Sequence, residues 1–323
     1  MTMDTGKQGM GLIEKAAARL GQTPARSAEP MSAAPAGQVF PDESPLRLEP
    51  MAPAPEPHQD DAAAHARHPL RKPDSSTRVE INLSALKARG FITPDGERSR
   101  LAEEFRIIKR PLLENAFGRG APLVDHGNMI MVTSAHAGEG KTWTAINLAI
   151  SIAMEMDKTV LLVDADVGRA RVHEVLGTPM GPGLIDLLTD DNLDVSDVIL
   201  RTSLPKLRVI PMGRYHAHSN ELLASEDMQR LTQDLATRYN DRVVIFDTPP
   251  LLMTSESVVL AGLMGQIVFV VESERTSQNR VKDALGLLDS SKPIGLVLNK
   301  TRRLLGSDYY GYGAYGYHGT AST

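Results

Sequence analysis

The chain is predicted to fold as an α/β domain whose mostly parallel sheet is covered by helices on both faces. Three observations predict this. Six apolar runs lack polar alternation, helical segments separate most of them, and a loop of small residues joins the first run to the first long helix. The runs are Met129–Thr133, Thr159–Val163, Leu207–Ile210, Arg242–Phe246, Gln266–Val271 and Ile294–Leu298. A strand that is apolar throughout is buried on both faces, which is the signature of a parallel sheet between helical layers. The helical segments are Lys141–Met156, Asn220–Tyr239 and Gln278–Leu288. No internal repeat is visible.

Before this domain, residues 1–75 are rich in Ala, Pro and Ser. Such a segment buries too little apolar surface to offset chain entropy, so disorder is expected. Gly11–Leu20 is an island within it, with Leu12, Ile13, Ala16 and Leu20 on one helical face; a transient helix or a short docking helix fits. Residues 76–125 read as a helical segment for docking or oligomerisation. Val79–Leu83 suggests a short strand, Ser84–Arg89 a helical turn, and Glu97–Asn115 a helix with Phe105, Ile108 and Leu112 on one stripe. Pro111 is expected to kink that helix or start a second one. The α/β domain spans 126–305, and a tail covers 306–323.

Composition narrows the function. A net charge of −5 and a pI near 6 give no global basic field for nucleic acid. The absence of cysteine excludes disulfides, thiolate metal sites and a cysteine nucleophile, and fits a reducing cytoplasm. His136, His173, His216 and His218 have no metal-ligand spacing. The start lacks a signal-peptide pattern. The longest apolar run, Ser257–Val271, is interrupted by Gln266 and is shorter than the ~20 residues a spanning helix needs.

Ala135-His-Ala-Gly-Glu-Gly140-Lys141-Thr142 follows the first run and opens the first long helix. That context makes it a phosphate-binding P-loop. Small residues let the backbone N–H groups of Ala137, Gly138, Glu139 and Gly140 converge on phosphate oxygens, and the helix N-terminus adds positive potential. Lys141 is placed to reach the β and γ phosphates of ATP, and the Thr142 hydroxyl to ligate Mg²⁺. Trp143 ends the nucleotide-binding run, although its ring reads as a packing group. Ala135 stands where the general pattern has its first glycine, which is acceptable if its φ stays ordinary.

Two further strands end in carboxylates. Thr159–Val163 leads into Asp164 and Asp166, and Arg242–Phe246 into Asp247 and a Thr-Pro-Pro turn. Ligands of open parallel sheets bind beyond the carboxyl ends of the strands, so these groups and the P-loop meet at one edge. Asp247 suits a Mg²⁺ role, and Asp164 or Asp166 the acceptance of a proton from an attacking hydroxyl. Asn299, ending the last run, fits either a base contact or a cap.

Five of the seven tyrosines lie in the last fifteen residues: Tyr309, Tyr310, Tyr312, Tyr315 and Tyr317, spaced by glycine and alanine. Such a tail cannot build a core, so its phenols await chemistry. Beside a nucleotide site, that chemistry is phosphoryl transfer. Asn299 lies at the nucleotide edge, and the stretch from it to the tyrosines spans about 33–65 Å when extended, enough for attack in cis or in trans.

With these residues on the page, the chain resembles the bacterial P-loop tyrosine autokinases, the BY-kinases of exopolysaccharide loci. It is most similar to those associated with exosortase/PEP-CTERM loci. Gly138–Thr142, Asp164-Ala-Asp166, Asp247–Pro250 and the tyrosine tail carry the resemblance, which covers residues 78–317. It implies an ATP- and Mg²⁺-dependent protein-tyrosine kinase that phosphorylates its own tail in trans and regulates exopolysaccharide export. Glu103, Arg106 and Lys109 match the family's Glu-x-x-Arg-x-x-Arg helix with Lys in the last place, implying a ring-like homo-oligomer. Read alone, they are a solvated charge row; Arg110 lies next to Lys109. A membrane protein of the chain-length-determinant type and a cognate phosphotyrosine phosphatase are implied partners, with a cytoplasmic location against the inner membrane. After Asp166 the family's Arg-Pro pair becomes Arg169-Ala170. Two other readings share the architecture: a MinD/ParA-like positioning ATPase, whose early P-loop lysine is His136 here, and a nucleotide-dependent scaffold without turnover.

Overall fold

A computed structural model describes residues 78–95, 99–118 and 124–302. The 1–75 region, the Gly11–Leu20 island and the tail tyrosines Tyr309, Tyr310, Tyr312, Tyr315 and Tyr317 lie outside the described residues. Strands β1 (Arg78–Val79), β2 (Met129–Ser134), β3 (Thr159–Asp164), β4 (Leu200–Thr202), β5 (Leu207–Ile210), β6 (Arg242–Asp247), β7 (Gln266–Glu272) and β8 (Ile294–Asn299) form one sheet. Their spatial order is β1-β4-β5-β3-β6-β2-β7-β8. Every pairing is parallel except that of β4 with β5. The six apolar runs are strands β2, β3 and β5–β8, each within a residue of its expected end.

The helices in chain order are α1 (Leu83–Ala88), α2 (Arg100–Phe117), α3 (Lys141–Ala153), α4 (Val172–Leu176), α5 (Leu184–Leu187), α6 (Val195–Val198), α7 (Ser219–Leu223), α8 (Glu226–Thr237), α9 (Ser255–Leu263) and α10 (Gln278–Leu285). Alternate residues of each central strand face opposite layers. Ile130, Val132, Val160, Leu162, Val243 and Ile245 pack with α1–α3. Met129, Met131, Leu161, Val163, Val244 and Phe246 pack with helices of the second layer, including Leu184, Met228 and Leu260. Each such fully buried side chain contributes about 1.5–3 kcal/mol.

Local chemistry explains where the elements depart from expectation. The first strand stops at Val79 because Asn82 caps α1, its Oδ1 accepting the Ala85 N–H at 2.9 Å. The expected helix over 220–239 divides into α7 and α8 because Ser225 caps a new start, accepting the Met228 N–H at 3.2 Å. Helix α2 runs unbroken through Pro111. That ring lies on the exposed face, where solvent can serve the carbonyl of the preceding turn that it deprives of a donor. Gln266 turns out to be a fully buried anchor at the start of β7. Its amide donates to the Leu112 carbonyl at 3.0 Å and to the Gly127 carbonyl, and accepts from Asn115 at 2.7 Å.

The segment before β2 is part of the domain rather than an appendage. It supplies edge strand β1, and Leu86, Phe91, Phe105 and Leu112 enter the same core as α3. At the opposite edge β8 leaves Leu296 and Leu298 about 60% exposed. Among the described residues, no helix is long and apolar enough to cross a membrane.

Candidate active site

The parallel sheet brings the carboxyl ends of β2, β3, β6, β7 and β8 to one edge. Register pairs Asp164 with Asp247, and Glu272 with Asn299. The P-loop leaves β2 there and enters α3. Gly138 (φ 87°) and Gly140 (φ 101°) occupy backbone conformations that only glycine enters readily. A Cβ on Gly140 would lie 2.0 Å from Asn299 Nδ2. Ala135 is fully buried and outside the left-handed region, so it serves in place of the first glycine.

The loop is braced by side chains. The Ser134 hydroxyl donates to the His136 carbonyl at 2.7 Å. Buried Glu139 accepts the His136 N–H at 2.8 Å and the Thr276 hydroxyl. Asn299 Nδ2 donates to the Glu139 carbonyl at 2.8 Å, and Lys300 Nζ to the Gly138 carbonyl at 2.7 Å. Asn299 is therefore a strut of the loop. Nothing in the sequence marked Lys300 or Thr276, because their roles arise from strand ends that meet only in the fold.

Lys141 opens α3 and is 6% exposed; its Nζ lies 3.4 Å from Asp166 Oδ2. Asp166 Oδ1 accepts the Arg169 N–H at 3.1 Å. Asp164 is fully buried, and both its oxygens serve the backbone: Oδ1 accepts from Asp166 N at 3.3 Å and Oδ2 from Val172 N at 3.1 Å, fixing the start of α4. Burial, and then the charge of Asp247, push its carboxyl well above the usual range. Of the two candidate proton acceptors, Asp166 is thus the one beside Lys141, and Asp164 also holds the loop together.

Asp247 is fully buried, and neither oxygen has a hydrogen-bond partner. Burial pushes its carboxyl up to about 7. The Thr142 hydroxyl and the Lys141 ammonium act in the opposite sense, the hydroxyl near but outside hydrogen-bonding geometry. Two carboxylates, Asp166 and Asp247, interact with one ammonium, and an orphaned pair of oxygens lies by a P-loop hydroxyl. This donor set fits Mg²⁺, which takes one or two carboxylates together with phosphate oxygens.

The Trp143 side chain is a packing group, as expected: its ring meets Phe105 edge-on at 5.7 Å and Phe91 at 6.1 Å. One expectation needs correction. Lys109 does not belong to a solvated row. It is 5% exposed, with Nζ 2.6 Å from both the Ser151 carbonyl and Glu155. The C-terminal end of α3 attracts this cation with its free carbonyls. Glu103 and Arg106 do lie on the exposed face of α2, paired with each other, with Ile107 (69% exposed) and Arg110 beside them.

Comparison with known proteins gives consistent results. The AAA domain family matches residues 127–288. Tyrosine-protein kinase YwqD of Bacillus subtilis is 32% identical over 74% of this chain and 95% of its own length. Tyrosine-protein kinase CpsD of Streptococcus agalactiae is 31% identical over 58% of this chain and 81% of its own length. Other relatives are far longer: the chain spans only 26% of EpsB of Ralstonia solanacearum and 26% of tyrosine-protein kinase wzc of Salmonella typhi. Among solved structures, the chimerical protein CapA2B2 is 27% identical with a TM-score of 0.58, covering 76% of this chain and 99% of that one. The kinase domain of VpsO is 29% identical with a TM-score of 0.52, covering 62% and 96%.

Proposed function

The chain belongs to the bacterial tyrosine-protein kinases built on the AAA domain, and from that premise we propose that it transfers the γ-phosphoryl group of ATP to the tyrosines of its own tail. The observation that carries this is one edge of the sheet. There Lys141, Asp166 and Asp247 surround the P-loop, and β8 delivers the chain toward the tyrosine-rich tail at the same place.

The backbone N–H groups of residues 137–142 cradle the phosphates, and Lys141 exchanges Asp166 for phosphate oxygens. Thr142 and Asp247 would hold Mg²⁺, which supplies Lewis-acid neutralisation of phosphate charge. The phenol oxygen of Tyr309, Tyr310, Tyr312, Tyr315 or Tyr317 attacks the γ-phosphorus as the bond to ADP breaks. The phenolic proton passes to the Asp164–Asp166 pair, and positioning supplies most of the acceleration.

Attack in trans within a ring is supported by the outer face of α2, where Glu103, Arg106 and Arg110 surround exposed Ile107; Lys109 is spent inside its own subunit. Each phosphotyrosine adds about −1.5 to −2 charge, so a loaded tail is repelled by the carboxylate-lined edge and the ring loosens. A membrane partner of the chain-length-determinant type, a cognate phosphatase, a cytoplasmic place against the inner membrane and a role in exopolysaccharide export complete the proposal.

The test is incubation of purified protein with Mg²⁺ and ATP, with phosphotyrosine mapped by mass spectrometry. Wild type should label its tail, while Lys141→Ala and a tail with all five tyrosines changed to Phe should not. Absence of phosphotyrosine in wild type that still binds ATP would leave a scaffold and end the kinase reading.

A further inference from the structure

We propose that Asn299 and Lys300 are positioning residues for the phosphate loop, and that the root of the tail is thereby tied to nucleotide affinity. The inference rests on the nucleotide site proposed above and adds residues outside the P-loop and the carboxylate strands.

The peptide group is planar and trans, so a C=O and the next N–H point in opposite directions. Lys300 Nζ holds the Gly138 carbonyl at 2.7 Å, and Asn299 Nδ2 holds the Glu139 carbonyl at 2.8 Å. Fixing these two carbonyls outward turns the N–H groups of Glu139 and Gly140 inward, where phosphate oxygens would lie. Donors aimed before the ligand arrives need no reorganisation when it binds. The fit is close: Asn299 occupies the space that a side chain on Gly140 would need.

The grip is itself held. The Lys300 N–H donates to Asn299 Oδ1 at 2.9 Å, which locks the amide orientation. Glu272, the register partner of Asn299, pairs with the Lys300 ammonium at 3.2 Å, and the Ser273 N–H donates to the Asn299 carbonyl at 2.9 Å. Lys300 takes a φ of 56°, uncommon for a residue with a side chain and sustained here by these contacts. The chain continues from Lys300 through Arg302, which pairs with Glu274 at 3.5 Å, into the tail, so tension on the tail reaches the loop through this short root. Nucleotide in turn favours the conformation in which both grips are made, as reciprocity of coupled sites requires.

The experiment measures Mg·ADP affinity of the full-length protein by titration calorimetry, together with the nucleotide-free melting temperature and steady-state phosphorylation. Lys300→Met and Asn299→Ala should each weaken ADP binding about ten-fold, the scale of losing one partner of a loop carbonyl. Lys300→Arg, which keeps a donor, should restore wild-type affinity. In turnover, the KM for ATP should rise while kcat holds. Lys300 is 45% exposed, so Lys300→Met decides the matter even if Asn299→Ala fails to fold. Wild-type ADP affinity in Lys300→Met, or a lowered nucleotide-free melting temperature that accounts for the loss, overturns the inference. Wild type that binds no ADP at all overturns the nucleotide site on which it rests.

Discussion

Replacing Asp247 with Asn should stabilise the metal-free protein, and only above about pH 4. The carboxyl is fully buried, and burial raises its pKa from 3.8 to about 7. A group whose folded pKa is raised is most stabilising below its unfolded value, and that stability is lost as pH climbs through the folded one. Each pH unit in this window is worth about 1.4 kcal/mol. The wild type should therefore fall behind Asp247→Asn progressively from about pH 4 to 7, by on the order of 4 kcal/mol at the plateau. Removing the Asp247 charge also relieves Asp164, whose carboxyl it helps to raise. Urea denaturation with a chelator at pH 4.5, 6, 7 and 8 reads the gap. Mg·ADP should narrow the gap, since a ligand at 100 times its Kd adds about 2.7 kcal/mol to the wild type. A gap that is flat with pH, or one favouring the wild type in chelator, would refute the reasoning.

Other outcomes follow from α2. Glu103→Ala with Arg106→Ala breaks an exposed pair, so unfolding free energy should change by less than ~1 kcal/mol, while sedimentation should show smaller particles; unchanged particles would remove this face from the assembly. Phe105→Ala empties a site 2% exposed and should cost about 3–5 kcal/mol. It should also shift the emission of Trp143, the only tryptophan; an unshifted spectrum would contradict the edge-on contact. Lys109→Met leaves the Ser151 carbonyl and Glu155 without their cation and should lower stability by about 1–3 kcal/mol; an unchanged denaturation midpoint would count against the buried clamp.

The sheet was legible because β2, β3 and β5–β8 are apolar on both faces, a pattern that little besides a covered parallel sheet produces. The P-loop was legible because its glycines and Lys141-Thr142 form one contiguous run. What escaped is what depends on distant partners. Strand β4 has three residues and exists through its pairing with β5 and β1. Helix α9 is apolar and continuous with β7 in sequence, so period alone could not divide them. Lys109 looked solvated because a charge row at helical spacing normally is. Its burial is set by where the end of α3 falls, which no local pattern encodes. Gln266 looked like a flaw in an apolar run for the same reason: its three partners lie far away in the chain.

The end of β8 against the P-loop also sets the economics of substrate choice. Ten positions separate Asn299 from Tyr309, about 33 Å at full stretch. In the proposed reaction, phenols held in the same assembly as the site would be present at millimolar effective concentration. An untethered tyrosine peptide at micromolar levels then competes poorly, however well its sequence matches. Selection in that proposed reaction would rest on attachment rather than on recognition of flanking residues, and a foreign protein would gain access by being held to the same assembly.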